Sequence, residues 1–485
     1  MSETGNQFSL TRQTSMTGAA AKKQISIGKS PIKVPSLLPA LLTSIGLIMP
    51  GQAPGQMFRT LHTFSGGSDG ARPLAGLILS SNTLYGTASE GGSSQKGTVF
   101  KVNKDGTGFA TLHVFTGASD GSAPFAGLTL LGNTLYGTAN SGGTSGNGTV
   151  FAVNTNGAGF ATLHGFASPS GGANPQAGLV SSDNTLYGTT YRGGISTNGT
   201  VFKVSTGGTD FARLYSFILS DAYFPQAGLV LSSNTLYGTT YHGGGQEGGT
   251  VFKVNTDGAG FAYLHTFTGG SDEAGPAAGL ILSGNTLYGT VDGGRGSSVD
   301  SFGTVFKVNT DGTGFATLHS FTGGAGGAWP EAGLVLSGNT LYGTTESGGG
   351  SGQGTVFKLN TDGTGYATLY SFTGGDDGAN PQAGLILSDN TLYGTAQKGG
   401  SSGQGTVFSL ALAPVSAPQL TIIRSEAYVS LTWPTNAAGF TLQSTTNLAS
   451  PAVWAAVSRG PVVVNGQNAV TNPISGARQF FRLSQ

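Results

Sequence analysis

A chain of 485 residues with 22 basic and 22 acidic side chains, 85 glycines and no cysteine is neither a charged disordered polymer nor a helical one, because glycine opposes helix and marks turns. Zero net charge with scattered lysines and arginines removes the basic stripe that phosphate neutralisation needs and argues against nucleic acid as a partner. Without cysteine there is no disulfide, no thiolate catalysis and no Cys-ligated zinc.

At the N-terminus, Arg12, Lys22, Lys23, Lys29 and Lys33 precede the apolar run VPSLLPALLTSIGLIM and the small-residue segment ending at Ala53. Basic, then apolar, then small is the order of a secretory signal. The run is short for a membrane span of about 20 residues and holds Pro35 and Pro39. Residues 1–53 therefore read as a signal or leader region, with Met16 as a second candidate start. An uncleaved anchor and a cytoplasmic leader are the alternatives. The expected location is secreted or cell-surface, with no transmembrane span in the mature protein.

From residue 54 the chain repeats. NTLYGT returns around Tyr85, Tyr136, Tyr187, Tyr237, Tyr288, Tyr342 and Tyr393, spaced by 50 to 54 residues, in the range of propeller-type arrays. Each unit predicts four short strands by period-two alternation. In the first full unit they are GLILS (76–80), TLYGTA (83–88), GTVFKVN (97–103) and FATLHVF (109–115). A fourth strand, FRTLHTF (58–64), comes first with no partners before it, and the last unit stops after its third strand at Pro414. The two ends make one whole sheet, so the fold class is all-β. The expectation is a seven-bladed β-propeller over 54–412, closed by the N-terminal strand and thereby free of exposed edges.

The unit GLxLSxNTLYGT…GG…GTVFKVNTDGTGFATLHxF, over residues 58–412, resembles the GloVer repeat of the choice-of-anchor tandem repeat proteins, the Gloeobacter/Verrucomicrobia repeat family. The resemblance implies an exported, surface-associated protein and brings no activity with it. The strand order is also similar to that of kelch repeats. After a linker at 413–419 (APVSAPQ), residues 420–485 predict a small β-sandwich similar to fibronectin type III or immunoglobulin-like modules, with Trp433 and Trp454 as core residues.

The repeated residue types read as scaffold. Tyr85 and its equivalents occur in every unit and suit packing between blades, the glycine after each allowing close backbone approach. Asp105, Asp257, Asp311 and Asp362 sit in Asp-Gly turns, with too few carboxylates per loop for calcium. The lysines of GTVFK lie in no phosphate loop. His62, His113, His164, His265 and His319 share one strand position in different units, which does not make a metal site. No cofactor and no metal are expected, and no catalytic residue is assigned.

Antiparallel strands put the uniform turns on one face and the variable loops on the other. The variable loops include SEGG, NSGG, YRGG, YHGG, ESGG and QKGG, together with Phe125, Tyr223, Phe224 and Trp329. Variation of this kind marks either a binding face or tolerant surface. Thirteen acidic residues against five basic ones (Arg72, Lys96, Arg192, Arg295, Lys398) favour a neutral or cationic ligand over a polyanion. The expected function is a monomeric, non-enzymatic binding or adhesion scaffold for a neutral glycan or cell-envelope component. Tyr191, Arg192, Tyr223, Phe224, Tyr241, His242 and Trp329 are the candidate binding residues, since flat rings stack on sugars. The alternative is a carbohydrate-active enzyme on the same face, either a lyase using Tyr, His and Arg or a glycoside hydrolase using paired carboxylates.

Overall fold

The computed structural model describes residues 57–412, apart from 168, 219–221 and 295–300, and residues 420–484 apart from short stretches between strands. The expected leader (1–53) and linker (413–419) lie outside the described residues. All described residues belong to one compact unit. Among them there is no α-helix; the protein is all-β and its tandem repeats are propeller-like.

The repeats build seven four-stranded antiparallel sheets. In the first full unit the strands are Ile78–Ser80, Thr83–Ala88, Thr98–Asn103 and Ala110–Val114. The turn after Ser80 needs a left-handed residue, and Ser81 takes φ 53 there, as Gly132 and Asp183 do in the next units; short polar residues and glycine tolerate that region best. The third and fourth strands shift register between Val99 and Phe100, a bulge that bends the outer strand. The same irregularity appears between Thr60 and His62, where Met57–Thr63 pairs with Thr406–Ala411. The N-terminal strand is thus the fourth strand of the sheet whose other members are Ile386–Ser388, Thr391–Ala396 and Thr406–Ala411.

Neighbouring sheets pack through aromatic rings. Tyr85, Val99 and Phe115 meet Leu128, Leu135 and Phe151 of the following unit. Phe100, Phe151, Phe202, Phe252, Phe306, Phe357 and Phe408 are fully buried, each removing enough apolar surface from water to contribute about 1.5–3 kcal/mol. The strand histidines stack flat on a ring of the next sheet: His113 on Phe160 at 3.6 Å, His265 on Phe315 at 3.5 Å, His62 on Phe109 at 3.6 Å. Tyr370 and Phe58 do the same at 4.1 Å.

The glycine of NTLYGT has a different purpose from the one expected. A Cβ on Gly86 would lie 2.6 Å from Phe100 Cζ and 2.8 Å from Leu77 Cδ2, so this glycine clears space for side chains of its own sheet. Close backbone approach occurs instead in Pro-x-Ala-Gly-Leu, where a Cβ on Gly127 would stand 3.2 Å from Gly76 O and one on Gly76 3.1 Å from Gly384 O. Beside it Thr87 Oγ1 donates to Ala126 O (2.9 Å) and Thr395 Oγ1 to Ala75 O (3.0 Å).

Residues 420–484 form a four-stranded and a three-stranded antiparallel sheet that share a small core of Leu431, Trp433, Leu442 and Val470. Trp433 is buried as expected. Trp454 is not a core residue: it is half-exposed, with the Arg482 guanidinium 4.4 Å above its ring.

Candidate functional site

The scaffold candidates are closed by their own hydrogen bonds. Asp105 accepts from the Thr107 hydroxyl (2.6 Å) and N–H (2.9 Å), bonds that hold its carboxyl below the usual range. On the strand, His62 Nε2 faces Asp69 Oδ2 at 3.2 Å, His113 faces Asp120 at 3.2 Å and His265 faces Asp272 at 3.3 Å. Tyr370 donates to Asp377 at 2.9 Å, and burial together with that carboxylate pushes its phenol up. Each of these aspartates also accepts from the loop backbone, as Asp120 does from Thr116 N at 2.8 Å. They fasten a loop to its strand. Burial lowers the pKa of His62, His113, His164, His265 and His319. Among the described residues no three His, Cys, Asp or Glu are grouped to hold a metal.

Other acids of the variable face are also engaged. Glu90 pairs with Arg72 at 2.9 Å, and Glu273 accepts from Gly303 N at 2.6 Å while burial raises its pKa. Tyr223 donates to Glu247 at 2.6 Å, which with partial burial pushes the phenol up to about 12. The negative charge inferred from composition is therefore largely committed to donors within the loops.

The variable loops have a constant frame. The residue before each Pro-x-Ala-Gly-Leu has positive φ in all seven units: Arg72 (54), Ala123 (54), Asn174 (55), Phe224 (60), Gly275 (80), Trp329 (58) and Asn380 (52). Non-glycine residues occupy that region at a cost, and bulky ones rarely. It is held from both sides. Phe224 N donates to Asn198 O of the preceding unit (2.9 Å) while Tyr241 N donates to Phe224 O (3.1 Å), and Trp329 N to Phe302 O (2.8 Å) while Glu346 N donates to Trp329 O (3.0 Å). The backbone is fixed seven times over and the side chains are left to differ.

Two positions further on, the one variable letter of Pro-x-Ala-Gly-Leu is Leu74, Phe125, Gln176, Gln226, Ala277, Glu331 and Gln382. All seven line a single cavity of about 410 Å³, joined by Tyr241 and Asp292. Tyr241 donates to Asp292 Oδ2 at 2.9 Å and Gly294 N to Oδ1 at 2.8 Å, so Asp292, 2% exposed, anchors the Tyr241 ring at the cavity wall. Leu74 and Phe125 offer apolar surface, the three glutamines offer paired donors and acceptors, and among the described residues no lysine or arginine lines the cavity. That composition suits an uncharged polar ligand with one apolar side.

Six of the seven candidate binding residues come together. Tyr191 stacks on Phe224 at 4.5 Å, Tyr223 meets Phe224 edge-on at 5.0 Å and lies along His242 at 5.3 Å, and His242 meets Tyr241 at 4.6 Å. The Arg192 guanidinium sits 5.8 Å from the Tyr191 ring and 6.0 Å from that of Phe224, in cation–π range. A short ribbon, Ala222–Tyr223 with His242–Gly243, holds the two loops together. Trp329 stands apart, its indole N–H donating to Ser301 O at 3.3 Å. Reading the sequence for aromatics found Tyr241 but missed the glutamines. The signal for them was present: one changing letter inside an otherwise constant five-residue motif.

The model of a Gloeobacter/Verrucomicrobia repeat family matches residues 45–252, 120–300 and 243–425. No curated protein matches the chain by sequence. Among solved structures, a chain of a nidogen/laminin complex is similar over 60% of this chain and 93% of that one, at 13% identity and TM-score 0.39. An oligogalacturonate lyase from Vibrio parahaemolyticus is similar over 74% of this chain and 98% of that one, at 10% identity and TM-score 0.46. At these TM-scores neither likeness carries an argument about function.

Proposed function

The chain belongs to the Gloeobacter/Verrucomicrobia repeat family, and from that premise we propose that it is an exported, surface-attached binding protein whose seven sheets are the blades of a closed propeller and whose ligand is a neutral glycan. Closure is supported by the pairing of Met57–Thr63 with Thr406–Ala411 and by the Thr395 to Ala75 bond, which repeats between the last and first units the contact other neighbours make. Export follows from the order of basic, apolar and small residues over 1–53. The two sheets of 420–484, read as a fibronectin type III or immunoglobulin-like sandwich, serve attachment.

The observation that carries the binding reading is the cavity to which every repeat contributes the same, and variable, position. Within Pro-x-Ala-Gly-Leu the one letter that varies converges from all seven units on one space, while the rest of the motif stays constant. The cavity wall is built from amides, two carboxylates and aromatic rings, which orient hydroxyls and cover the apolar side of a sugar ring. Tyr241 directs its hydroxyl hydrogen to Asp292 and so acts as a wall group rather than a proton acceptor, which favours binding over a lyase reaction.

A glycan array probed with the full chain tests this. Tyr241→Ala and Gln226→Ala weaken binding by about 1–3 kcal/mol, the range for truncating an interface anchor, with the melting temperature unchanged. Tyr85→Ala, at a packing position, does the reverse. Binding indifferent to both cavity substitutions, or an array with no signal, overturns the reading.

A further inference from the structure

Phe224 and Tyr241 stand between two cavities. Tyr241 lines the one shared by all repeats, and Phe224 lines a second, of about 330 Å³, with Asn147, Asn174, Arg192, Thr197 and Asn198. The two residues are joined by the Tyr241 N–H to Phe224 O bond, so one backbone contact links a lining residue of each cavity.

Their chemistry is opposite. Among the described residues the shared cavity has Asp292 and Glu331 and no cation, and the second has Arg192 and no acid. Arg192 meets no carboxylate among the described residues, and its guanidinium is held near the rings of Tyr191 and Phe224 rather than against a counter-ion. Asn198, 7% exposed, lines the same cavity with an amide Nδ2 that has no hydrogen-bond partner among the described residues. Around the second cavity the guanidinium and the Asn198 amide are thus donors that a carboxylate can engage. A carboxylate would be repelled from the first.

Resting on the glycan-binding reading above, and narrowing its neutral glycan to one that is neutral except for a single uronate, we propose that the ligand is an oligosaccharide that occupies both cavities: an uncharged unit sits in the shared cavity, the uronate unit sits with its carboxylate against Arg192, and the chain crosses Phe224 and Tyr241. Recognition then depends on length and on one charge at a set distance from the chain end. A uniformly charged polymer fails because its terminal carboxylate meets Asp292 and Glu331.

Calorimetric titration of the full chain with xylose, xylotetraose and aldotetraouronic acid, a neutral xylo-chain bearing one glucuronate, tests the assignment. Aldotetraouronic acid binds about tenfold or more tightly than xylotetraose, the effect of one charge-assisted bond, and xylose is far weaker than either. Arg192→Gln removes the difference between the two tetramers, and Arg192→Lys restores part of it. Equal affinity of the tetramers, a difference that survives Arg192→Gln, or xylose binding as well as the tetramers overturns the proposal. So does failure of all three sugars, even where the array finds another glycan; the broader reading then stands and this one falls.

Discussion

The two faces of the repeats solve the same problem, fixing a loop, and use the solution differently. On the uniform face Asp105, Asp311 and Asp362 each take the N–H and hydroxyl of a threonine two residues on, and Asn156 takes the N–H of Ala158 in the same way, so there the side chain itself closes the turn; Gly207 in the third unit is the exception. On the variable face the loop is closed by backbone bonds, such as those to either side of Phe224 and Trp329. At those positions before the proline the side chain is released from closing the loop, while Asp69, Asp120, Asp272 and Asp377 nearby still fasten it to the strand. The difference teaches that freedom to vary comes from backbone bonding that is independent of the residue, and does not require a loose loop.

The most severe way to break this comparison is to remove what both faces stand on. Deleting residues 57–63 strips the partner strand from Thr406–Ala411 and the stacks of Phe58 on Tyr370 and His62 on Phe109. Thermal unfolding should fall by about 10 °C or more, with aggregation through the bared edge. A deletion variant that melts and elutes like the full chain would show that the sheets do not depend on closure.

Acid is a milder probe of the same frame. His62, His113, His164, His265 and His319 have folded pKa values below 6.5, with burial the leading cause. The unfolded chain therefore binds more protons as pH falls, and the stabilisation is complete above 6.5 and lost as pH drops from there through the lowered folded values. Melting temperatures recorded between neutral pH and pH 5 should decline, and His319→Phe, which keeps a ring against Tyr366, should flatten the decline. A profile level across that range counts against the histidines as neutral spacers.

The smallest effect sharpens the comparison most directly. Gly106, on the uniform face, has φ 84 and a Cβ there would meet Leu61 O at 2.9 Å. Gly106→Ala should cost about 1–2 kcal/mol. On the variable face Ala123 already endures φ 54, and Ala123→Gly should stabilise by about 0.5–1 kcal/mol through relief of that strain. Equal signs in denaturant titration would erase the distinction between the faces.

The strands were legible because alternation, turn residues and repetition all pointed the same way; even the partnership of FRTLHTF with the last repeat followed from counting. The gathering of Tyr191, Arg192, Tyr223, Phe224, Tyr241 and His242 was legible from the adjacency of two units. The role of Gly86 was not, because a sequence shows that space is needed but not whether Phe100 or a backbone fills it. Nor was the shared cavity. Gln176, Gln226 and Gln382 are far apart in the chain and unremarkable singly, and only the convergence of their first strands makes them neighbours. That Trp329 stands apart from the other six was not legible either, since a sequence does not show that its indole N–H is bonded to Ser301 O.

The glycine contact between neighbouring units is a seat made of backbone alone. A Cβ on Gly127 would press on Gly76 O, one on Gly178 on Gly127 O and one on Gly76 on Gly384 O, so the same seat recurs whichever units adjoin. What differs from one junction to the next is carried by side chains such as Tyr241, which reaches Asp292 of the following unit; a unit moved to another place would keep the seat and lose such bonds.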